Sequence, residues 1–343
     1  MQVLNIFEKL KNSTQEILSD QINYLKLKNA AEDLKSLFNE LSELNIDADG
    51  FEQSVFLDTG EAIGLKWAGR CVDDLMRTRA FIRGLKRSID EVKEKTPGKP
   101  ACVLYCGTGP FATLVVPLIT VFTPNELQLV LLEINPVSVE SIKKIFKKLG
   151  AEDYIIEIHQ VDAAKFAIPN SEEIDILVLE CMQIALAKEQ QVAITHNLYS
   201  QLKPEAILIP EEISLHLALV DGRAKMATFD AIVMGDIVYH KNSEPLFVLN
   251  KEEVRSNAKV FKQEGISFPK KKTLLPKAFS NNPCMIAITT EIKVYKEDIL
   301  TIDESSLTAP LRLGHQDEQP NTIGITSQFL VNELPGLEID FIE

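Results

Sequence analysis

Positive charge is what this 343-residue chain has least of: 36 Lys and Arg stand against 50 Asp and Glu, a formal net charge of −14. A surface that grips a phosphate backbone needs clustered Lys and Arg, so the deficit argues against a nucleic-acid partner and favours cationic ligands. Cysteine is scarce as well. Cys71, Cys102, Cys106, Cys181 and Cys284 form no CxxC pair and no Cys/His cluster at zinc spacing. That removes a zinc site and a disulfide framework from consideration, leaves reduced thiols, and makes a metal unexpected. No basic segment followed by an apolar run opens the chain, and nothing approaches about 20 uninterrupted apolar residues. The expectation is a cytoplasmic protein with no membrane contact.

What is present is ample apolar material, 45% of residues, enough for two or three domains. From Met1 to about Asn45, apolar residues recur at helical spacing without a proline. A second helical stretch covers Lys66–Lys95 and stops at the Pro-Gly-Lys-Pro breaker. Short apolar strands then alternate with helical segments. Ala101–Tyr105, Gln128–Leu132, Tyr154–Gln160, Ile174–Leu179 and Ala206–Ile209 read as strands. An apolar helix is expected from Phe111, then helices over Ser138–Leu149 and up to about Leu202. Such alternation predicts an α/β, doubly wound parallel sheet of Rossmann-like type, covered on both faces. Beyond Pro210, Ser214–Val220, Met285–Val294, Ser306–Leu313 and Ile325–Val331 read as strands of a β-rich domain, with a lysine-rich loop at Lys270–Lys272. The expected division is 1–50 helical, 51–210 the ligand-binding sheet with its leading helix, and 211–343 β-rich.

In an open α/β sheet, ligands bind beyond the carboxyl ends of the strands. Here those ends carry chemistry. The first strand runs through Tyr105 into Cys106-Gly107-Thr108-Gly109-Pro110, where Gly107 and Gly109 let the backbone turn close to a ligand. The second ends at Glu133, an acid able to accept both hydroxyls of a ribose. The third leads to Asp162-Ala163, where a carboxylate can accept an adenine amino group. Together these mark a nucleoside cofactor. Pro110 replaces a donor that a pyrophosphate would need and the third glycine of GxGxxG is missing, which favours S-adenosyl-L-methionine over a dinucleotide.

Further residues resemble the arginine methyltransferase family. Glu180-Cys181-Met182 through Lys188-Glu189 is similar to that family's double-glutamate hairpin, and Leu202-Lys203-Pro204 with Ile209-Pro210 looks like the segment that follows it. Asp74-Leu75-Met76-Arg77-Thr78 resembles the family's D-x-x-R-T helix, and Phe56-Leu57-Asp58 a weakened form of its N-terminal aromatic motif. The resemblance implies a class I S-adenosylmethionine-dependent methyltransferase that releases S-adenosyl-L-homocysteine. It also implies that Arg77 holds the cofactor carboxylate, Glu180 and Glu189 the acceptor guanidinium, and Met182 the space around it, in a protein that is a homodimer. Departures from the family are Tyr105 in place of a strand-end acid, Cys181 in place of a tryptophan, and no Thr-His-Trp loop.

The chemistry suits these residues. A guanidinium spreads its charge over three nitrogens, and two carboxylates forking around it fix its plane. The N-terminal helices and a short β domain favour an enclosed acceptor, free L-arginine or a small guanidino compound. The alternatives are arginine within a protein or peptide, and a catalytically silent methyltransferase-like scaffold. The histidines His159, His196, His216 and His240 have no acid partner at useful spacing and read as structural. Lys143, Lys144, Lys147 and Lys148 read as a solvated helix face.

Overall fold

The computed structural model describes residues 2–48, 50–221, 239–257, 266–277 and 284–343. Two amphipathic helices open the chain, α1 (Gln2–Leu18) and α2 (Tyr24–Ser42), the second capped by the Asn23 side chain accepting from Lys26 N–H. They pack on each other and against the sheet domain. A short hairpin follows, β1 (Val55–Leu57) and β2 (Gly60–Ala62), then α3 (Leu65–Arg70) and α4 (Leu75–Lys95). The helical stretch expected over Lys66–Lys95 is broken at Asp74, whose backbone is extended and whose carboxylate caps the Arg77 N–H at 3.2 Å.

The central sheet is parallel throughout. Its strands are β3 (Ala101–Cys106), β4 (Leu127–Glu133), β5 (Ile155–Gln160), β6 (Ile176–Leu179) and β7 (Ile207–Ile209), in the order β5-β4-β3-β6-β7. Every residue of β3 and of β6 is buried, as strands covered on both faces must be. Helix α4 packs along β3, β6 and β7, and α5 (Pro136–Leu149) along β4 and β5. Asn135 caps α5, Pro136 opens it, and Gly150 closes it in the left-handed conformation. Helix α6 (Gln191–Tyr199) precedes β7.

The helix expected from Phe111 is instead a run of turns ending in a short 3-10 segment, Val116–Thr120. Phe111, Val115, Val116 and Leu118 are all fully buried, and Ala112 has φ 46°, so the apolar run reflects burial on every side and not an α-helix.

Past β7 the chain turns antiparallel. Strands β8 (Glu212–Val220), β9 (Tyr239–Lys241), β10 (Phe247–Asn250), β13 (Met285–Tyr295), β14 (Asp298–Leu300) and β15 (Leu311–His315) form one sheet. Strands β11 (Ile266–Ser267), β12 (Lys271–Leu274), β16 (Gly324–Val331) and β17 (Gly336–Ile342) form another, and a short helix α7 (Lys251–Asn257) lies between β10 and β11. Two expectations are corrected here. The lysines at 270–272 lead into a paired strand, β12, because Lys271 and Lys272 find ladder partners in Ser327 and Thr326. Ser306–Leu313 is not one strand: Ser305 and Thr308 cap each other across a 3-10 turn, and the strand starts only at Leu311.

The lysines of α5 have a use that their spacing concealed. Lys144 and Lys148 pair with Glu43 at 3.1 and 2.8 Å, tying the end of α2 to α5.

Candidate active site

Because all five central strands run the same way, their carboxyl ends open at one edge, and a cavity of about 1070 Å³, partly continuous with solvent, lies there. Nine of the ten site residues expected from the sequence line it: Arg77, Tyr105, Gly107, Gly109, Glu133, Asp162, Ala163, Glu180 and Glu189. Met182 is buried in the core and does not line it.

At one end, β3 runs into the glycine turn. Gly107 has φ 72° and lies so close to Cys181 that a Cβ would sit 2.2 Å from its Sγ, so only glycine fits. Glu133 at the end of β4 is 7% exposed. Its Oε2 accepts from Thr108 Oγ1 at 3.0 Å and from the Gly109 N–H at 2.9 Å, and its Oε1 from the Asn135 N–H at 2.8 Å. Burial pushes this carboxyl up, and the donors work against the rise. The arrangement has a consequence for ligand class. In a phosphate cradle the loop N–H groups face the anion; here Gly109 N–H and Thr108 are turned onto a carboxylate. Five carboxylates and one guanidinium line the cavity, which disfavours phosphates further. Asp162 Oδ1 accepts from Ala164 N–H at 3.0 Å, and Gln190 Nε2 lies 3.5 Å from the same oxygen.

At the other end stand the two acids. Glu180 leaves β6, and its Oε2 is in an ion pair with the Arg77 guanidinium. Burial pulls Arg77 down and the Glu180 charge more than restores it, so Arg77 is firmly cationic. Burial likewise pushes Glu180 up while Arg77 opposes the rise; with a permanent cation in contact, the pair is ionised. The remaining oxygen, Glu180 Oε1, is buried and has no partner. Glu189 is 6% exposed, and burial together with the Glu180 charge pushes its carboxyl up to about 8.

The loop that brings the second acid back is strained. Ala185, Leu186 and Lys188 have φ of 54°, 55° and 68°, in the left-handed region that residues with a Cβ avoid. Each such residue costs about 1–2 kcal/mol, so surrounding contacts must hold the loop. They do so from both sides: Lys188 N–H donates to Pro335 O and Lys188 O accepts from Glu61 N–H, each at 2.8 Å, while Cys181 N–H donates to Gln191 Oε1 at 2.8 Å. The helix bearing Arg77 is held in the same manner. Asp74 Oδ2 accepts from Ser305 Oγ, Ser306 N–H and Ser306 Oγ at 2.7–2.8 Å, tying the antiparallel domain to the start of α4.

Several lining residues were not foreseen. Glu61, Cys71, Gln190 and the hairpin residues Val55 and Ala62 all reach the cavity, but no motif flagged them. Burial pushes the Cys71 thiol up to about 12, and a hydrogen bond with Cys106 together with burial pushes Cys181 well above its ordinary value, so neither is poised as a nucleophile. Among the described residues none before Val55 lines the cavity, so α1 and α2 stand outside its lining. Two of the histidines do have acid partners, His196 with Glu253, which its sequence separation concealed, and His159 with Glu157, each at 2.8 Å; none of these residues lines the cavity. Among the described residues no group of three or more His, Cys, Asp and Glu could hold a metal ion, and no helix is long and apolar enough to cross a membrane.

No family model and no curated protein matches this chain. Among solved structures, the Trypanosoma brucei PRMT1 enzyme–prozyme heterotetrameric complex with AdoHcy aligns with 80% of this chain and 92% of that chain, at 15% identity and a TM-score of 0.47. That likeness is one of chain path only, and the functional reading below stands on the residues of the cavity.

Proposed function

We propose that the protein is an S-adenosyl-L-methionine-dependent N-methyltransferase whose acceptor is a guanidino group. The observation that carries this reading is the pair of buried acids: Glu180 with one unpartnered oxygen and Glu189 opposite the Arg77 ion pair, at the end of a cavity whose other end has no phosphate cradle. Two buried carboxylates side by side are unfavourable unless a cation joins them. Glu180 already holds one guanidinium in Arg77, which demonstrates the fit of group to group.

In this scheme the glycine turn, Glu133 and Asp162 with Ala163 hold the adenosine, Glu133 on the ribose hydroxyls and Asp162 near the adenine amino group. Arg77 faces the amino-acid end, and Tyr105, which burial keeps neutral, fills the floor beside it. The bound cofactor supplies a methyl group already activated by its sulfonium. Glu180 Oε1 and Glu189 orient the acceptor guanidinium by charge-assisted hydrogen bonds, fixing which nitrogen faces the methyl. An arriving cation converts Glu189 from acid to carboxylate, and that carboxylate then takes the proton the attacking nitrogen must lose. The product cofactor is S-adenosyl-L-homocysteine. Met182, buried and removed from the cavity lining, makes no direct contact with the acceptor in this scheme.

The acceptor is free L-arginine, a small guanidino compound, or arginine within a peptide. Incubation with methyl-labelled cofactor and either L-arginine or an arginine-rich peptide tests the reading. Product is expected from at least one, and Glu180→Gln and Glu189→Gln each lower its rate by about 10²-fold or more while cofactor binding persists. Full activity in both variants refutes the assignment. A homodimer, implied by the family resemblance, is tested by sedimentation of the purified chain.

A further inference from the structure

The hairpin strand bonded to the acid loop carries a carboxylate that the scheme above does not use. Glu61 lies on β2, bridged in parallel to Glu189, with its N–H on Lys188 O. The Gln183 side chain donates to Glu61 Oε1 at 3.1 Å, and after burial and the Glu180 charge, the Glu61 charge is among the causes that push the Glu189 carboxyl up. The backbone bridge between Glu61 and Glu189 sets both carboxylates in one part of the cavity lining. Like charges held near each other are unfavourable without a cation between them, and Arg77, the one cationic side chain among the described lining residues, is already engaged by Glu180. The unpartnered Glu180 Oε1, on a side chain 9% exposed in the same cavity lining, receives the reacting guanidinium in the scheme above, which leaves Glu61 for a second charge. Phe56 stands opposite Glu61 in the hairpin ladder, shares its face, and is 72% exposed. An aromatic face beside a carboxylate suits a cation.

We propose that Glu61, with Gln183 and Phe56, forms an acceptor-side subsite for a second positive charge. The preferred acceptor then carries an ammonium or guanidinium near its reacting guanidino group, and no carboxylate there. The inference rests on the guanidino reading and adds to it a choice among acceptors: the α-carboxylate of free L-arginine meets Glu61 and Glu189 at close range, which makes it the poorer substrate. Two sources offer the favoured chemistry, an aminoalkylguanidine and an arginine flanked by Lys or Arg in a peptide.

The test uses the full chain, wild type and Glu61→Gln, with initial rates of methyl transfer and with calorimetric binding in the presence of S-adenosyl-L-homocysteine. The probes are butylguanidine, 4-aminobutylguanidine, L-arginine, and arginine peptides with either glycine or lysine flanks. In the wild type the dicationic member of the small pair or of the peptide pair exceeds its monocationic counterpart by about tenfold or more in kcat/KM and in affinity, and L-arginine ranks last. In Glu61→Gln, checked for folding by thermal melting, that ratio falls to about threefold or less. Which pair shows the preference identifies the source. Equal use of mono- and dications by the wild type, a preference that survives in Glu61→Gln, or no binding of any probe overturns the proposal. If no probe is methylated, the methyltransferase reading fails, and the binding ratios alone decide whether the subsite exists.

Discussion

Glu189 is the residue whose neutralisation should be easiest to see, because its two roles pull stability and activity in opposite directions. Its carboxyl is pushed up to about 8 in the folded chain, from an ordinary value near 4.5, by burial first and the Glu180 charge second. A raised acid binds its proton more tightly folded than unfolded, so it subtracts stability once pH exceeds the unfolded pKa. The penalty grows with pH until the folded carboxyl itself ionises near pH 8. With about 1.4 kcal/mol per unit, the wild type should lose about 3–4 kcal/mol between pH 5 and pH 8 through this one group. Glu189→Gln keeps the shape and has no proton to lose. Urea unfolding of both proteins over that range should therefore find the variant more stable by a margin that widens with pH, to about 3 kcal/mol or more at pH 8, while its methyl transfer is about 10²-fold slower. A stability difference that does not change between pH 5 and pH 8 would refute the raised carboxyl, and with it the argument that the site waits for a cation. Acceptor binding should likewise release a proton below pH 8, measurable as buffer-dependent heat.

Glu133→Ala should weaken S-adenosyl-L-methionine binding by about 1.5–3 kcal/mol in calorimetry; unchanged affinity would remove Glu133 from the ribose. Gly107→Ala, placing a Cβ at φ 72° and 2.2 Å from Cys181 Sγ, should abolish cofactor binding and lower Tm, whereas Gly150→Ala, at φ 62° with no heavy atom within 4 Å, should cost only about 1 kcal/mol of backbone strain and leave binding intact. Hydrogen exchange over residues 51–80 should slow when cofactor binds, most in the β1–β2 hairpin that walls the cavity; equal rates with and without cofactor would mark this region as preformed.

The amino-acid sequence by itself determined the parallel sheet, the glycine turn after β3, and the acids at the ends of β4, β5 and β6. Those features follow from local rules: apolar runs of strand length, Gly at left-handed turns, and the fact that parallel strands deliver their carboxyl ends to one edge, so that Gly107, Glu133, Asp162 and Glu180 must meet whatever the connecting segments do. The buried run after Phe111 misled because an all-apolar segment looks the same whether it is helical or merely enclosed. Other features depended on contacts between distant segments and carry no periodicity to read. The pairing of Arg77 with Glu180 across 103 residues, the left-handed backbone at Ala185, Leu186 and Lys188, the Ser305–Asp74 tie and the approach of Glu61 to Glu189 are of this kind. Each needs a second stretch of chain to make an otherwise costly charge or dihedral tolerable, and only the tertiary structure supplies that partner.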